Sequence, residues 1–163
     1  MAHKLTVSDE NLITGLNGRN FLWANTKHVG YGYSNDHLDV RLVQFLLNGY
    51  SKSVKAGHEL LVCDGSFGGK TWARLKWYQK RYSGDIVADG AVSPMTGGTG
   101  LTPKQGMIFT IVQLNVDYAW NWPAYYDDIR RDIGCPNELV NHFSSPRIHT
   151  QNNLRQLGLG AHG

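Results

Sequence analysis

Apolar residues recur at helical spacing in several parts of the chain. Between Asp39 and Asn48, positions Val40, Val43 and Leu47 fall on one line, with Leu42 and Leu46 beside it. Steps of three and four residues place such side chains on one face of a helix. Asp36 or Asp39 supplies its N-cap, and Asn48 with Gly49 its C-terminal stop. Farther on, Thr71, Leu75, Tyr78 and Tyr82 form a second buried stripe that ends at Ser83 and Gly84. A third helix is predicted from Thr102 and Pro103, with proline at the first helical position. It runs through Ile108, Ile111, Val112 and the stretch from Leu114 to Tyr118, apolar enough to be buried, until Asn121, Trp122 and Pro123 break it.

The rest of the chain reads as connections and short pieces. Residues 1–35 are polar and rich in Gly and Asn, with Phe21, Trp23, Tyr31 and Tyr33 interspersed, which predicts an irregular arm. Within it, VGYGYS is a loop or a short edge strand. Residues 60–63 and the pair Ile86 and Val87 are brief apolar runs, each followed by an Asp-Gly turn, at Asp64-Gly65 and Asp89-Gly90. In such turns the carboxylate accepts from backbone N–H groups ahead of it and Gly supplies the positive φ. Phe67 plugs the first turn against the core, Gly68 and Gly69 permit tight backbone, and Thr71 caps or braces the helix that follows. MTGGTG, residues 95–100, is a loop. A polar helix is predicted from Ala124 to about Ile133, a short one from Glu138 to Phe143, and a Gly-rich tail over 151–163 that frays.

Composition narrows the class. The 163 residues are 41% hydrophobic and 18% charged, which fits one folded domain rather than a disordered chain. No stretch approaches the roughly 20 apolar residues of a membrane span, so no membrane partner is expected. The N-terminus lacks the apolar segment of a secretory signal. A protein of this kind would be made in the cytoplasm and act outside it only after lysis, by dedicated secretion, or within a particle. Cys63 and Cys135 read as buried free thiols. The histidines show no HExxH or HxH spacing, so neither a metal nor another cofactor is predicted.

Three blocks of residues, in order, carry a resemblance. Asp39-Val40-Arg41, Gln44 and Leu47-Asn48 match DVRxxQxxLN; Asp64, Gly65, Phe67, Gly68 and Thr71 match DGxFGxxT, with Tyr78-Gln79 closing that helix; Asp89, Gly90, Val92 and Pro94 match DGxVxP. Over about a third of the chain this resembles the small three-helix peptidoglycan-binding-like domain appended to bacterial and phage cell-wall hydrolases. The resemblance implies a mainly α protein: a three-helix peptidoglycan-binding-like core over 36–120, between the N-terminal arm at 1–35 and a C-terminal helical extension and tail at 121–163.

Departures from the pattern are specific. MTGGTG stands where the family has a short helix, so the third helix is either displaced to 103–118 or interrupted by an insertion. Arg74 replaces a residue that is generally small, and Trp77 one that is commonly small or polar. Trp77 is expected to pack under the C-terminal segment rather than form a sugar-stacking platform.

Other candidate chemistry reads as structure. Trp120, Trp122, Tyr125 and Tyr126 have faces that stack on sugars or bases, but the expected role is to anchor the helix break. Asp127, Asp128 and Asp132 alternate with Arg130 and Arg131, the pattern of a salt-bridged surface rather than a glycosidase pair. Cys135 with His142 or His149 lacks a nucleophile's context. Lys70, Arg74, Lys76, Lys80 and Arg81 make the second helix basic, which suits anionic peptidoglycan stems and simple solubility equally; without a nucleic-acid motif, nucleic acid is not the expected partner.

The resemblance therefore implies a non-catalytic module that binds peptidoglycan in a shallow groove near the two turns, with Tyr50, Ser66, Trp72, Arg81 and Asp89 as contacts. Its partners would be peptidoglycan and a separate wall hydrolase, or the proteins of a phage or secretion assembly. A second reading makes the scaffold a recruited structural or protein-interaction part. A small wall hydrolase ranks last.

Overall fold

Helix α2 (His37–Ser53) is the axis of the fold, buried from Leu42 through Ser51 without interruption. A helix buried around its whole circumference needs neighbours on every side, and partners for its buried polar groups. Asp36 is its cap, accepting from the N–H groups of Leu38 and Asp39 at 3.0 and 3.1 Å. Asp39, the other candidate cap, is fully buried and instead accepts from the N–H groups of Thr26 and Lys27 at 3.2 and 3.1 Å. The carboxylate thus ties the incoming chain to the helix. The coordinates, a computed structural model, describe residues 1–95 and 107–145.

The predicted stop at Asn48 and Gly49 is overrun by a turn. Gly49 serves a close helix crossing instead: a Cβ there would stand 3.0 Å from the Tyr118 ring, and its carbonyl accepts from Trp122 Nε1 at 2.9 Å. Asn48 clamps Leu61 from both sides, donating to its carbonyl at 2.9 Å and accepting from its N–H at 2.8 Å. That satisfies an apolar run too short to find a strand partner.

Helix α3 (Gly69–Arg81) buries Thr71, Leu75, Tyr78 and Gln79, while Tyr82 at its C-cap is half-buried. Helix α4 (Thr110–Asn121) crosses α2 and buries Ile111, Val112, Leu114 and Tyr118. The predicted helix start at Thr102 and Pro103 lies outside the described residues, as do most of MTGGTG and the Gly-rich tail.

The first 35 residues are not an irregular arm. Strand β1 (His3–Thr6) and strand β2 (Phe21–Ala24) pair antiparallel, Lys4 opposite Trp23, around helix α1 (Glu10–Gly15). Asp9 caps α1 by accepting from Leu12 N–H at 2.9 Å. Strands of four residues give too few alternations to be read as a period. Asn115 of α4 substitutes for a third strand, donating to Trp23 O and accepting from Trp23 N–H, each at 2.8 Å. Leu12, Leu16, Leu22 and Trp23 enter the same core as α2, α3 and α4.

After α4 the chain makes helix α5 (Pro123–Tyr126), a 3-10 turn (Ile129–Arg131) and helix α6 (Asn137–Ser144). The single polar helix expected over 124–133 is broken at Asp128, which turns extended and accepts from Arg130 N–H at 3.2 Å. That break lets both Tyr126 and Ile129 reach the core. The fold is mainly α, and among the described residues no helix is long and apolar enough to cross a membrane.

Candidate functional site

Each Asp-Gly turn is held by a buried glutamine from the helix before it. Gln44 accepts from Gly65 N–H at 3.1 Å and donates to Asp64 Oδ1, Ser66 O and Thr71 Oγ1 at 3.2, 3.1 and 3.1 Å. Gln79 accepts from Gly90 N–H at 2.8 Å and donates to Ala91 O at 3.0 Å and Thr110 Oγ1 at 3.1 Å, with Asp89 Oδ1 at 3.4 Å. Both glycines have left-handed backbones, φ +77° and +72°. The Ser66 N–H holds the Asp64 carboxyl below the usual range against the effect of burial, with the Gln44 amide adding to it.

Beside the first turn lies a groove of about 720 Å³, bounded by residues 58–62, the turn itself and the first half of α3. Leu60 and Val62 line it and stay exposed while Leu61 between them is buried. Gly68 and Gly69 leave the groove side of the helix start without side chains, and Lys70, Arg74 and His58 supply polar groups. Arg74 Nη2 donates to Glu59 O at 2.7 Å, and its buried Nη1 has no partner among the described residues. Burial, then the Arg74 charge, lowers the pKa of His58, which favours a neutral ring.

Trp77 also lines the groove, and among the described residues its ring neighbours come from α2, α3 and the connection between them, not from the C-terminal segment. It meets His58 at 4.8 Å and Tyr50 at 5.7 Å between ring centroids, with the Arg81 guanidinium 5.2 Å from its own ring. The α2–α3 connection is the cover, because His58, held at 2.8 Å by Ser51 Oγ, brings it back against α3.

The five predicted contacts fall in three places. Ser66 lines the groove. Tyr50 is buried against Trp77 and Tyr78, and its hydroxyl accepts from Arg81 Nε at 2.7 Å, so the pair supports Trp77 from behind. Trp72 and Asp89 belong to the second turn: the exposed indole lies over Gly90, and the Asp89 carboxylate accepts from Ala91 N–H at 3.0 Å. Sequence reasoning missed the groove lining from His58 to Val62. Its signal was Leu60 and Val62 alternating with Leu61 before a turn, a run too short to assign a face.

The second turn has its own, smaller hollow of about 260 Å³ between residues 87–93 and 108–110. Val87, Asp89, Ala91 and Thr110 line it as Val62, Asp64, Ser66 and Thr71 line the first. Ile108 and Phe109 stand before Thr110, where Gly69 and Lys70 stand before Thr71.

The remaining candidates are structural. Trp120 Nε1 donates to Gly15 O at 2.7 Å and the Tyr126 hydroxyl to Phe21 O at 2.9 Å, which anchors the helix break. Arg130 pairs with Asp128 at 2.7 Å and Arg19 with Asp127 at 3.3 Å on the surface. Asp132, expected with them, is instead buried and accepts from the Tyr118 hydroxyl at 2.5 Å. Both cysteines are free, and burial pushes the Cys63 thiol up to about 11 and the Cys135 thiol to about 12. Comparison with known protein families, curated proteins and solved structures finds nothing that matches this chain.

Proposed function

We propose that this chain is a non-catalytic module that binds peptidoglycan in the groove beside the first Asp-Gly turn. The observation that carries the reading is the groove itself: open, mixed in polarity, and built on a turn that Gln44 fixes with three hydrogen bonds while a fourth reaches Thr71 in α3. A preformed site binds without an ordering cost. Arg74 and Lys70 suit the carboxylates of stem peptides, and Leu60, Val62 and Trp77 suit their apolar parts. The order of α2, first turn, α3, second turn and α4 supports the three-helix peptidoglycan-binding-like core that the motifs imply.

The groove's chemistry favours binding over hydrolysis. Its carboxylates are Glu59 and Asp64, and the turn's donors favour the ionised form of Asp64, whereas glycosidic cleavage needs one carboxyl kept protonated. With its thiol pushed up to about 12, Cys135 is not a thiolate at neutral pH.

The test is co-sedimentation with insoluble sacculi, followed by assay of the supernatant for released muropeptides. Retention without release is expected. Release would make the protein a hydrolase. Absence of retention at moderate salt would move the function to a protein-interaction part of a phage or secretion assembly.

A further inference from the structure

Tyr31, Phe67 and Trp72 come together on the surface next to the groove. Tyr31 is 57% exposed and Trp72 39%. The Tyr31 ring meets Phe67 edge-on at 5.2 Å and lies 6.2 Å from Trp72, with the two planes 32° apart. A Cβ on Gly69, at the groove mouth, would stand 3.8 Å from the Tyr31 hydroxyl. Burying a large apolar side chain is worth about 1.5–3 kcal/mol. Two rings exposed to this extent forgo part of that stabilisation.

The backbone is built to hold Tyr31 there. Val29 and Val92 exchange both backbone hydrogen bonds, at 3.0 and 2.8 Å. Asn35 accepts from Gly30 N–H and donates to Gly30 O, each at 2.8 Å. Gly30, with φ +154°, backs onto Ala91 so closely that a Cβ would stand 2.9 Å from it. The loop is a bracket fixed to Ala91 and Val92, just after the second turn, and it presents a ring already in place.

We propose that Tyr31 and Trp72, backed by Phe67, stack on the sugar rings of an amino-sugar glycan running past the groove mouth. This rests on the wall-binding reading and assigns the glycan strand, rather than the stem peptide, to this face. Exposed rings 6.2 Å apart, with planes tilted by 32°, offer two faces to the flat C–H sides of consecutive pyranoses. The charges nearby fit the same occupant. Lys76 Nζ lies 6.0 Å from the Trp72 ring, Lys70 stands at the groove mouth, and α3 carries no acidic residue, which suits the lactyl carboxylates that a glycan strand bears wherever its stem peptide has been removed. A phosphodiester chain, charged at every unit, would instead meet the exposed Asp64 and Asp89.

The test is calorimetric titration with chitotetraose, which has four β-1,4-linked N-acetylglucosamine units and no stem peptide, run beside sacculi sedimentation. Wild type is expected to bind. Tyr31→Ala should weaken binding about fivefold or more, and Trp72→Phe should weaken it less; Tyr31→Phe, which keeps the ring, should stay within about twofold. Trp120→Ala, an exposed tryptophan on another face, should bind as wild type. Because Tyr31 is exposed, its variants should melt with the wild type, and that is checked first. Chitotetraose binding that Tyr31→Ala leaves unchanged would overturn the proposal. Sacculi retention without chitotetraose binding would also overturn it, while leaving the wall-binding reading in place. Tyr31-dependent chitotetraose binding without sacculi retention would uphold it and sink that reading. Tighter, Tyr31-dependent binding of single-stranded oligothymidylate would replace the glycan with nucleic acid and overturn it.

Discussion

Gln44 in α2 and Gln79 in α3 hold the same station, each accepting from the N–H of a turn glycine while its amide braces the threonine of the next helix. The equivalence extends to their neighbours. Three and seven residues before Gln44 stand Arg41 and His37, the groups nearest Gly65; at the same offsets from Gln79 stand Lys76 and Trp72, the groups nearest Gly90. The units differ in one length. Thr71 follows Asp64 by seven residues, whereas Thr110 follows Asp89 by twenty-one. The threonine that braces the second turn is thus reached through a longer connection, of which residues 96–106 lie outside the described residues.

Removing either glutamine strands buried groups on a turn and on a helix. Gln44→Ala and Gln79→Ala should each cost about 2–4 kcal/mol, since an unsatisfied buried polar group costs about 1–3 kcal/mol and each clamp serves more than one. Gln44→Glu should be the sharper probe: it keeps the acceptor for Gly65 but points a carboxylate at Asp64. Its penalty should grow from pH 4 to pH 7, measured as the urea midpoint relative to wild type. A penalty independent of pH would show that Gln44 does not face Asp64.

Gly65→Ala and Gly90→Ala should part company. Both force a left-handed backbone, at about 1–2 kcal/mol. At Gly65 the new Cβ would also meet the His37 carbonyl at 2.8 Å, which is backbone and cannot step aside. At Gly90 it would meet Trp72 Nε1 at 2.5 Å, and an exposed indole can swing out. Thermal unfolding should therefore show the greater loss for Gly65→Ala. Gly90→Ala should instead change Trp72 emission, read as the difference between Gly90→Ala and a Gly90→Ala, Trp72→Phe double variant.

Two carboxylates should give the stability profile opposite slopes. The Ser66 N–H bond, then the Gln44 amide, depress Asp64 from its ordinary 3.8 despite some burial. Its contribution is present above that value and is lost as pH falls through the folded-state pKa. Asp117 is raised by burial, in opposition to the bonds donated by Tyr78 at 2.6 Å and Tyr82 at 2.8 Å. Its contribution is present below 3.8 and lost as pH rises through the folded-state pKa. Asp64→Asn should flatten the acid limb. Asp117→Asn should gain on wild type as pH rises from acid towards neutral, both followed by urea unfolding across pH.

What the sequence showed and hid follows from the range of each interaction. The stripes of α2 and α3 and both Asp-Gly turns rest on rules that act within a few residues, and they were legible. The clamps that fix the turns were half visible: Gln44 and Gln79 stood in the motifs, but their partners are reached only through the fold. Gly49 misled because a glycine that ends a helix and one that admits Tyr118 look the same in sequence. The β1–β2 pair was hidden because Asn115, 92 residues from Trp23, supplies what a third strand would. Asp132 looked like a surface charge because only tertiary packing sets Tyr118 against it.

The correspondence between the two turns also supplies a direct test of the groove. Ile108 and Phe109 precede Thr110 at the small second hollow, and Gly69 and Lys70 precede Thr71 at the large first one. Gly69→Ile with Lys70→Phe would rebuild the first site in the image of the second. The change should be tolerated: Gly69 has an ordinary helical backbone, its nearest neighbour is the Tyr31 hydroxyl at 3.8 Å, and Lys70 is exposed. The melting temperature should stay within a few degrees of wild type, as surface substitutions are usually worth no more than about 0.5 kcal/mol. Sacculi retention should fall about tenfold, because the added side chains occupy the mouth and remove a cation that suits stem carboxylates. Retention at the wild-type level by a folded double variant would exclude the groove as the binding site and leave the Tyr31 and Trp72 face to account for it alone.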